Sequence, residues 1–193
     1  MTLEVATASR AHPLEPLCGD AAVVVKDDQT LMCVILDGVG HGPKAHQAAS
    51  RLAALARDIR ARDPLVCLDA LNEAARGTVG AAGGVLVVQR SSYALSYAGL
   101  GNTVARVIGE SPQRFVSHDG VLGQRMRSAL RGAAQLRAGD VVVMHTDGIA
   151  SDFDAHCAPA LLVSSAGFMA RAILKQFAKP YDDAACIVVK VTP

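Results

Sequence analysis

Tryptophan is absent from this 193-residue chain, and aromatic residues make up only 4% of it. Few side chains are therefore available to stack on bases or sugars. Charged residues are also scarce, at 19%, and the formal net charge is +1, so overall charge gives no sign of steering toward nucleic acid or an acidic partner. We expect no nucleic acid among the partners of this protein.

Long apolar runs and paired cysteines are missing as well. No uninterrupted apolar stretch approaches the roughly 18 residues of a membrane span, and no charged segment followed by an apolar one marks a signal peptide. The five cysteines are odd in number and include no Cys-x-x-Cys pair, so a reducing compartment is the simplest inference. We expect a cytoplasmic protein that does not interact with membranes.

The chain has ample material for a core, because 51% of its residues are hydrophobic and its mean hydropathy is +0.27. Its length fits a single domain over residues 1–193. Apolar periodicity and turn residues predict helices that begin at Pro43 and Pro64, a helix over 166–177, and a loop over 117–134. Strands are predicted over 21–26, 31–36, 85–88, 93–98, 104–108, 114–116, 141–145 and 184–191. Strands in hairpin-linked series favour antiparallel sheets with helices on their outer faces.

A group of aspartates lies at the borders of these apolar, strand-like runs: Asp20, Asp37, Asp147 and Asp182. An isolated carboxylate at the end of a buried strand is costly unless something pairs with it. Several of them, spread along the whole chain, indicate one shared partner. A site for a hard divalent cation such as Mg²⁺ or Mn²⁺ is the natural candidate.

Each of these features also has a simpler interpretation when it is taken alone. An Asp-Gly pair, as at Asp37 and Asp147, is usually a turn. His41 either contacts phosphate, acts as a general acid, or is a solvated loop residue, whereas His145 is predicted to be structural. Cys18 lacks the Cys-x₅-Arg cradle of a phosphocysteine enzyme.

The order of short motifs resembles that of the metal-dependent Ser/Thr protein phosphatases, the PPM family. The resemblance is to the bacterial branch with the sporulation phosphatases, and most of all to the short RsbX-type feedback phosphatases of the stressosome. The matching motifs are Cys18-Gly19-Asp20, Asp37-Gly38-Val39-Gly40-His41-Gly42, Arg76-Gly77-Thr78, Gly101-Asn102, His145-Thr146-Asp147-Gly148 and Tyr181-Asp182-Asp183-Ala184. The family pattern ends with Thr where this chain has Ala185, and we expect that change to tune activity without abolishing it.

The resemblance implies a fold and a set of metal ligands. The fold would be a four-layer α/β/β/α sandwich of two mainly antiparallel sheets flanked by helices. Two ions, Mn²⁺ or Mg²⁺, would activate a water molecule as the nucleophile. By analogy the ligands are Asp37, bridging both ions; the Gly38 carbonyl; Asp147 and Asp182 on the second ion; Asp20, directly or through water; and Asp183 as the weaker choice beside Asp182.

The resemblance also implies a function. We expect a monomeric protein phosphatase that acts on phosphoserine or phosphothreonine in phosphorylated STAS-domain proteins of a stressosome or partner-switching module. Two alternatives stay open: a phosphatase of a free anti-sigma-factor antagonist, and a non-catalytic binding module with the same fold. For substrate binding we single out His41, Arg125 and Arg127, with Arg131 beside them, although a solvated basic face also explains these arginines.

Overall fold

The computed structural model describes residues 1–124, 130–150, 153 and 159–193. Its strands are β1 (Thr2–Arg10), β2 (Asp20–Lys26), β3 (Thr30–Gly38), β4 (Ala81–Gln89), β5 (Ala94–Leu100), β6 (Val104–Ile108), β7 (Gln113–Phe115), β8 (Leu130–Gln135), β9 (Val141–His145) and β10 (Ala184–Thr192). Its helices are α1 (Pro43–Asp58), α2 (Pro64–Ala75), α3 (Pro159–Val163) and α4 (Ala166–Phe177).

These strands form two sheets. Sheet I has the strand order β1-β10-β9-β6-β7, and sheet II has the order β2-β3-β4-β5-β8. Each pairing between neighbouring strands is antiparallel. The prediction of antiparallel sheets built from hairpin-linked strands is therefore confirmed.

Three apolar layers hold the sheets and helices together. Side chains such as Ile35, Leu86, Val142 and Ile187 fill the space between the two sheets. A second layer packs α1 and α2 against the outer face of sheet II, and a third packs α4 against sheet I. The predicted four-layer α/β/β/α sandwich is thus the fold of the protein.

The two helices on sheet II begin at prolines, as predicted. Proline suits the first turn of a helix because its missing N–H has no partner there in any case. In α2 the side chain of Asp63 also caps the helix, accepting hydrogen bonds from Leu65 N at 2.9 Å and Val66 N at 3.3 Å. Of the helices that the structure describes, none combines the length and apolarity that crossing a membrane requires.

The structure corrects the sequence-based prediction at two strands, and it adds the short helix α3, which was not predicted. Residues 130–134, which belong to the predicted loop over 117–134, lie instead in β8 at the edge of sheet II. The predictions also contain no strand before Asp20, yet β1 pairs along its whole length with β10. Both strands are rich in alanine and polar residues, and one of their faces stays partly exposed, so the apolar alternation that reveals a strand is weak.

Replacing Leu71 with alanine tests the layer between α2 and sheet II. Leu71 is fully buried in that layer, so we expect its truncation to lower the free energy of unfolding by about 2–5 kcal/mol. Val66, on the exposed side of the same helix, is the matched control, and Val66→Ala should cost about 0.5 kcal/mol or less. Urea denaturation of both variants measures the difference, and equal losses would contradict this packing.

Candidate functional site

Two of the predicted aspartates lie together at one end of sheet II. β2 begins at Asp20, and β3 ends at Gly38, directly after Asp37. Asp20 and Asp37 face each other in the register of these antiparallel strands. The hairpin between residues 26 and 30 at the other end therefore fixes which carboxylates meet here.

Sheet I brings two further aspartates to the same place. β9 ends at His145 and β10 begins at Ala184, and His145 pairs with Cys186 across the two strands. Thr146 continues this pairing, since its backbone N–H donates to the Ala185 carbonyl at 3.1 Å and its hydroxyl accepts from the Ala185 N–H at 3.0 Å. Asp147 and Asp182 follow just beyond, on the loops that leave these strands.

The glycines after Asp37 and Asp147 are required by close approaches of the backbone. A Cβ atom on Gly38 would lie 2.5 Å from the carbonyl oxygen of Ala45, and one on Gly148 would lie 1.8 Å from that of Asp183. A larger residue at either position would push apart the segments that carry the carboxylates. The two Asp-Gly pairs are thus more than turn signals.

An open cavity of about 490 Å³ lies between these loops. Its wall contains the carboxylate residues Asp37, Asp147 and Asp182. Asp20 is almost fully buried, with 8% of its surface exposed, next to this wall. The structure therefore brings together all four aspartates that border the predicted strands.

Burial and mutual repulsion make these carboxyl groups hard to ionise together. Burial raises the pKa of Asp20 to about 7, and the negative charges of Asp183, Asp182 and Asp147 add to the effect. Burial likewise raises the pKa of Asp37 to about 8, together with the charges of Asp20 and Asp147. The pKa of Asp182 is raised by burial and by Asp147. A bound cation would offset both causes.

The donor set fits a hard divalent cation. Oδ2 of Asp20 is buried and has no hydrogen-bond partner in the described part of the chain, and the negative charge of Asp147 acts on the carboxyl of Asp37. Among the described residues, no three His, Cys, Asp or Glu side chains are placed to enclose an ion by themselves. An open carboxylate cavity of this kind suits Mg²⁺, which usually keeps several of its water ligands.

Neighbouring Asp182 and Asp183 differ in position. Asp182 lies in the cavity wall, half-buried. Asp183 is buried behind it, where Oδ1 accepts a hydrogen bond from the backbone N–H of His12 at 2.8 Å. Its other oxygen, Oδ2, faces Gly19, where a Cβ atom would lie only 2.7 Å away. This arrangement favours Asp182 as a ligand that faces the cavity and gives Asp183 the task of holding the loop before Asp20.

His41 also lies in the cavity wall, and it is held in place. Its Nδ1 lies 2.8 Å from Oε1 of Glu15, and its ring stacks on that of His12 with 4.8 Å between ring centres. By contrast His145 is buried, and its Nδ1 hydrogen bonds with the Thr146 carbonyl at 2.8 Å. That environment agrees with the structural role expected of His145.

Two contributors to the cavity were not assigned a role by the sequence reasoning. Asp119 lies in the wall and belongs to a third Asp-Gly pair, a signal that was available in the sequence. Asn102, named only as part of the Gly101-Asn102 motif, donates from Nδ2 to Oδ2 of Asp147 at 2.7 Å. Nothing in the sequence links Asn102 to Asp147, because the contact depends on how sheet I is ordered.

The proposed substrate-binding arginines receive no support from this cavity. Arg125 and Arg127 lie outside the described residues. Arg131 lies on β8, where its guanidinium forms an exposed ion pair with Asp63 at 2.9 Å, and it is not in the cavity wall. Cys18 is half-buried, and burial raises the pKa of its thiol to about 12, which agrees with the expectation that it is not a nucleophile.

Comparison with known proteins gives matches over most of the chain. The family described as Stage II sporulation protein E (SpoIIE) matches residues 27–192. A curated relative, phosphoserine phosphatase RsbX of Bacillus subtilis (strain 168), is 24% identical over 135 residues, which is 69% of this chain and 68% of the relative.

Solved structures match the fold from end to end. A chain from "The bacterial stressosome: a modular system that has been adapted to control secondary messenger signaling" superposes with a TM-score of 0.90 and 27% identity, covering 98% of this chain and 100% of the other. A crystal structure of RsbX in complex with magnesium gives a TM-score of 0.86 and 20% identity, with 98% and 96% covered.

Stability of the metal-free protein should depend on pH through Asp37. Its folded pKa of about 8 lies above the value of about 4 in an unfolded chain. The contribution of Asp37 to the free energy of unfolding is therefore most favourable below about pH 4, and it is lost as the pH rises through about 8. In EDTA, Asp37→Asn should raise the thermal unfolding midpoint above that of wild type, increasingly from about pH 5 to about pH 9. Asp58→Asn, an exposed change at the end of α1, is the control, and a pH-independent difference for Asp37→Asn would contradict the repulsion described above.

Proposed function

Because the chain belongs to the SpoIIE family, which matches it over residues 27–192, we propose that it is a metal-dependent phosphatase of phosphoserine or phosphothreonine in proteins. Membership of this family confirms the PPM-type resemblance found in the sequence motifs. The observation that carries the proposal is the cavity at the shared end of the two sheets, with its convergent carboxylates. Phosphomonoester hydrolysis needs positive charge there, which a carboxylate site supplies by binding cations.

The proposed metal ligands are the residues named from the motifs, except Asp183, which is proposed to hold a loop instead. Asp37 and the Gly38 carbonyl, Asp147, Asp182 and Asp20 would hold two ions, Mg²⁺ or Mn²⁺. When bound, these ions supply the activation of water and the charge neutralisation that phosphoryl transfer to water requires. The RsbX crystal structure that shares this fold contains magnesium, which supports the choice of metal.

Other side chains orient the ligands and the substrate. The amide of Asn102 fixes one oxygen of Asp147. Glu15 holds His41 at the cavity wall, where the imidazole can contact a phosphoryl oxygen or donate a proton to the departing alkoxide oxygen of the serine or threonine. The cavity is open, so a phosphorylated side chain on the surface of a folded protein can enter it.

The proposed substrates are phosphorylated STAS-domain proteins of a stressosome or partner-switching module. Support comes from the similarity to phosphoserine phosphatase RsbX and from the end-to-end match to a chain from a bacterial stressosome study. We further propose that the protein acts in the cytoplasm, as a monomer and as one domain over residues 1–193. A non-catalytic binding module would have no use for several buried carboxylates that repel each other.

Asp37→Ala tests the proposed function directly. We expect wild type to hydrolyse p-nitrophenyl phosphate with Mn²⁺ or Mg²⁺ and to stop in EDTA, and we expect the variant to lose at least about 10²-fold in kcat, because Asp37 is proposed to be the shared ligand. Cys18→Ser should keep near wild-type activity, since its thiol is protonated at neutral pH. Circular dichroism checks that both variants are folded. If the wild-type protein is inactive with both metals, the result would contradict the proposed phosphatase activity and favour a non-catalytic binding module.

Asp182→Asn and Asp183→Asn separate the two neighbours. Asn keeps the shape of Asp but loses the charge that a hard cation needs. We expect Asp182→Asn to weaken Mn²⁺ binding in calorimetric titration and to reduce turnover severely. Asp183→Asn should affect thermal stability more than metal affinity, because Asp183 accepts a backbone hydrogen bond. The reverse pattern would make Asp183 the ligand.

A further inference from the structure

A second groove, of about 350 Å³, lies beside the proposed catalytic cavity. One wall is the exposed face of α1, where Lys44, Gln47 and Arg51 follow one another at helical spacing. The opposite wall is the loop of Gly77, Thr78 and Val79. This loop contains Gly77 and Thr78 of the Arg76-Gly77-Thr78 motif, which the catalytic site does not use.

The groove carries positive charge that the described residues do not neutralise. Lys44 and Arg51 are exposed, and neither forms an ion pair within the part of the chain that the structure describes. Arg76, at the end of α2, pairs with Glu73 at 2.9 Å and adds no free charge. Two unpaired cations in one concave surface favour an anionic ligand.

The groove and the catalytic cavity share the segments that separate them. The backbone N–H of Val39, in the cavity wall, donates to the Gly80 carbonyl at 3.1 Å, directly after the groove residue Val79. Lys44 follows the cavity residue His41 by three positions. Val39 is itself 46% exposed, so an apolar contact lies between the two sites. Because three residues of chain span at most about 11 Å, Lys44 and His41 lie within the reach of an extended peptide of about four residues.

We propose that this groove, defined by Lys44, Gln47, Arg51 and the loop of residues 77–79, binds an acidic segment next to the phosphorylated residue of the substrate protein. The inference rests on the proposed phosphatase function and deepens it. Carboxylates of such a segment would be attracted to Lys44 and Arg51 while the neighbouring phosphoryl group enters the catalytic cavity. The groove thus selects phosphoproteins with acidic flanks and orients their phosphorylated side chain toward the cavity. Contacts of this kind raise efficiency only for substrates long enough to reach them.

Two synthetic phosphoserine peptides test the groove, one with three aspartates beside the phosphoserine and one with three asparagines. With fluorescent labels, their binding is measured by anisotropy in EDTA, and their turnover is measured with Mn²⁺. Wild type should prefer the acidic peptide, and Lys44→Ala/Arg51→Ala should lose about fivefold to tenfold in binding and in kcat/KM for that peptide alone. Turnover of p-nitrophenyl phosphate and of the neutral peptide should not change, and the salt dependence of acidic-peptide binding should weaken.

Arg57→Ala/Arg60→Ala is the matched control, because it removes the same charge from exposed positions in the last turn of α1 and just after that helix. An equal loss of acidic-peptide binding in the control would show that only overall charge matters, and it would contradict the groove proposal. An unchanged preference of Lys44→Ala/Arg51→Ala for the acidic peptide would contradict it as well. The anisotropy measurement separates the two proposals. Suppose that wild type turns over neither peptide, and that Lys44→Ala/Arg51→Ala loses acidic-peptide binding while the control variant does not. That result would support the proposed groove and contradict the proposed phosphatase activity.

Discussion

Repulsion between buried carboxylates is the cost that the rest of this fold must offset. Strand register in sheet II places Asp20 opposite Asp37, and the β9–β10 pairing of sheet I delivers Asp147 and Asp182 to the same end. Unfavourable charge is concentrated where the sheets meet, while the interior between them is apolar. The packed layers must supply the free energy that keeps these groups together, and the glycines at positions 38 and 148 allow the close backbone contacts that the arrangement needs.

The parts of the fold with strong local patterns could be predicted from the sequence. Apolar runs bounded by turn residues located most of the strands, and proline marked the starts of α1 and α2. The aspartates at strand borders located the cavity, because antiparallel neighbours bring such borders to a common edge. The strands that were not predicted, β1 and β8, have weak apolar patterns, because they are edge strands that contain many small or polar residues. The contact from Asn102 to Asp147 depends on tertiary structure, so no spacing rule reveals it.

Charge shows the same limit of sequence reasoning. A net charge of +1 gave no hint of attraction to an acidic partner, yet the folded chain separates its charges. Carboxylates gather in one cavity, while Lys44 and Arg51 line the groove beside it. Composition averages over the surface, whereas binding depends on which charges the fold makes neighbours. The two sites would also have separate tasks. The cavity would accept any phosphoserine side chain, whereas the groove would determine which phosphoprotein is chosen.

The contribution of both sheets to one cavity has a mechanical consequence. Asp20 and Asp37 belong to sheet II, whereas Asp147 and Asp182 belong to the loops of sheet I. An ion held by both pairs would cross-link the halves of the sandwich, and a ligand that binds only the folded state stabilises that state in proportion to the logarithm of the ligand concentration. The supply of free divalent cation would then govern how long each molecule of the protein lasts, through its resistance to unfolding and proteolysis.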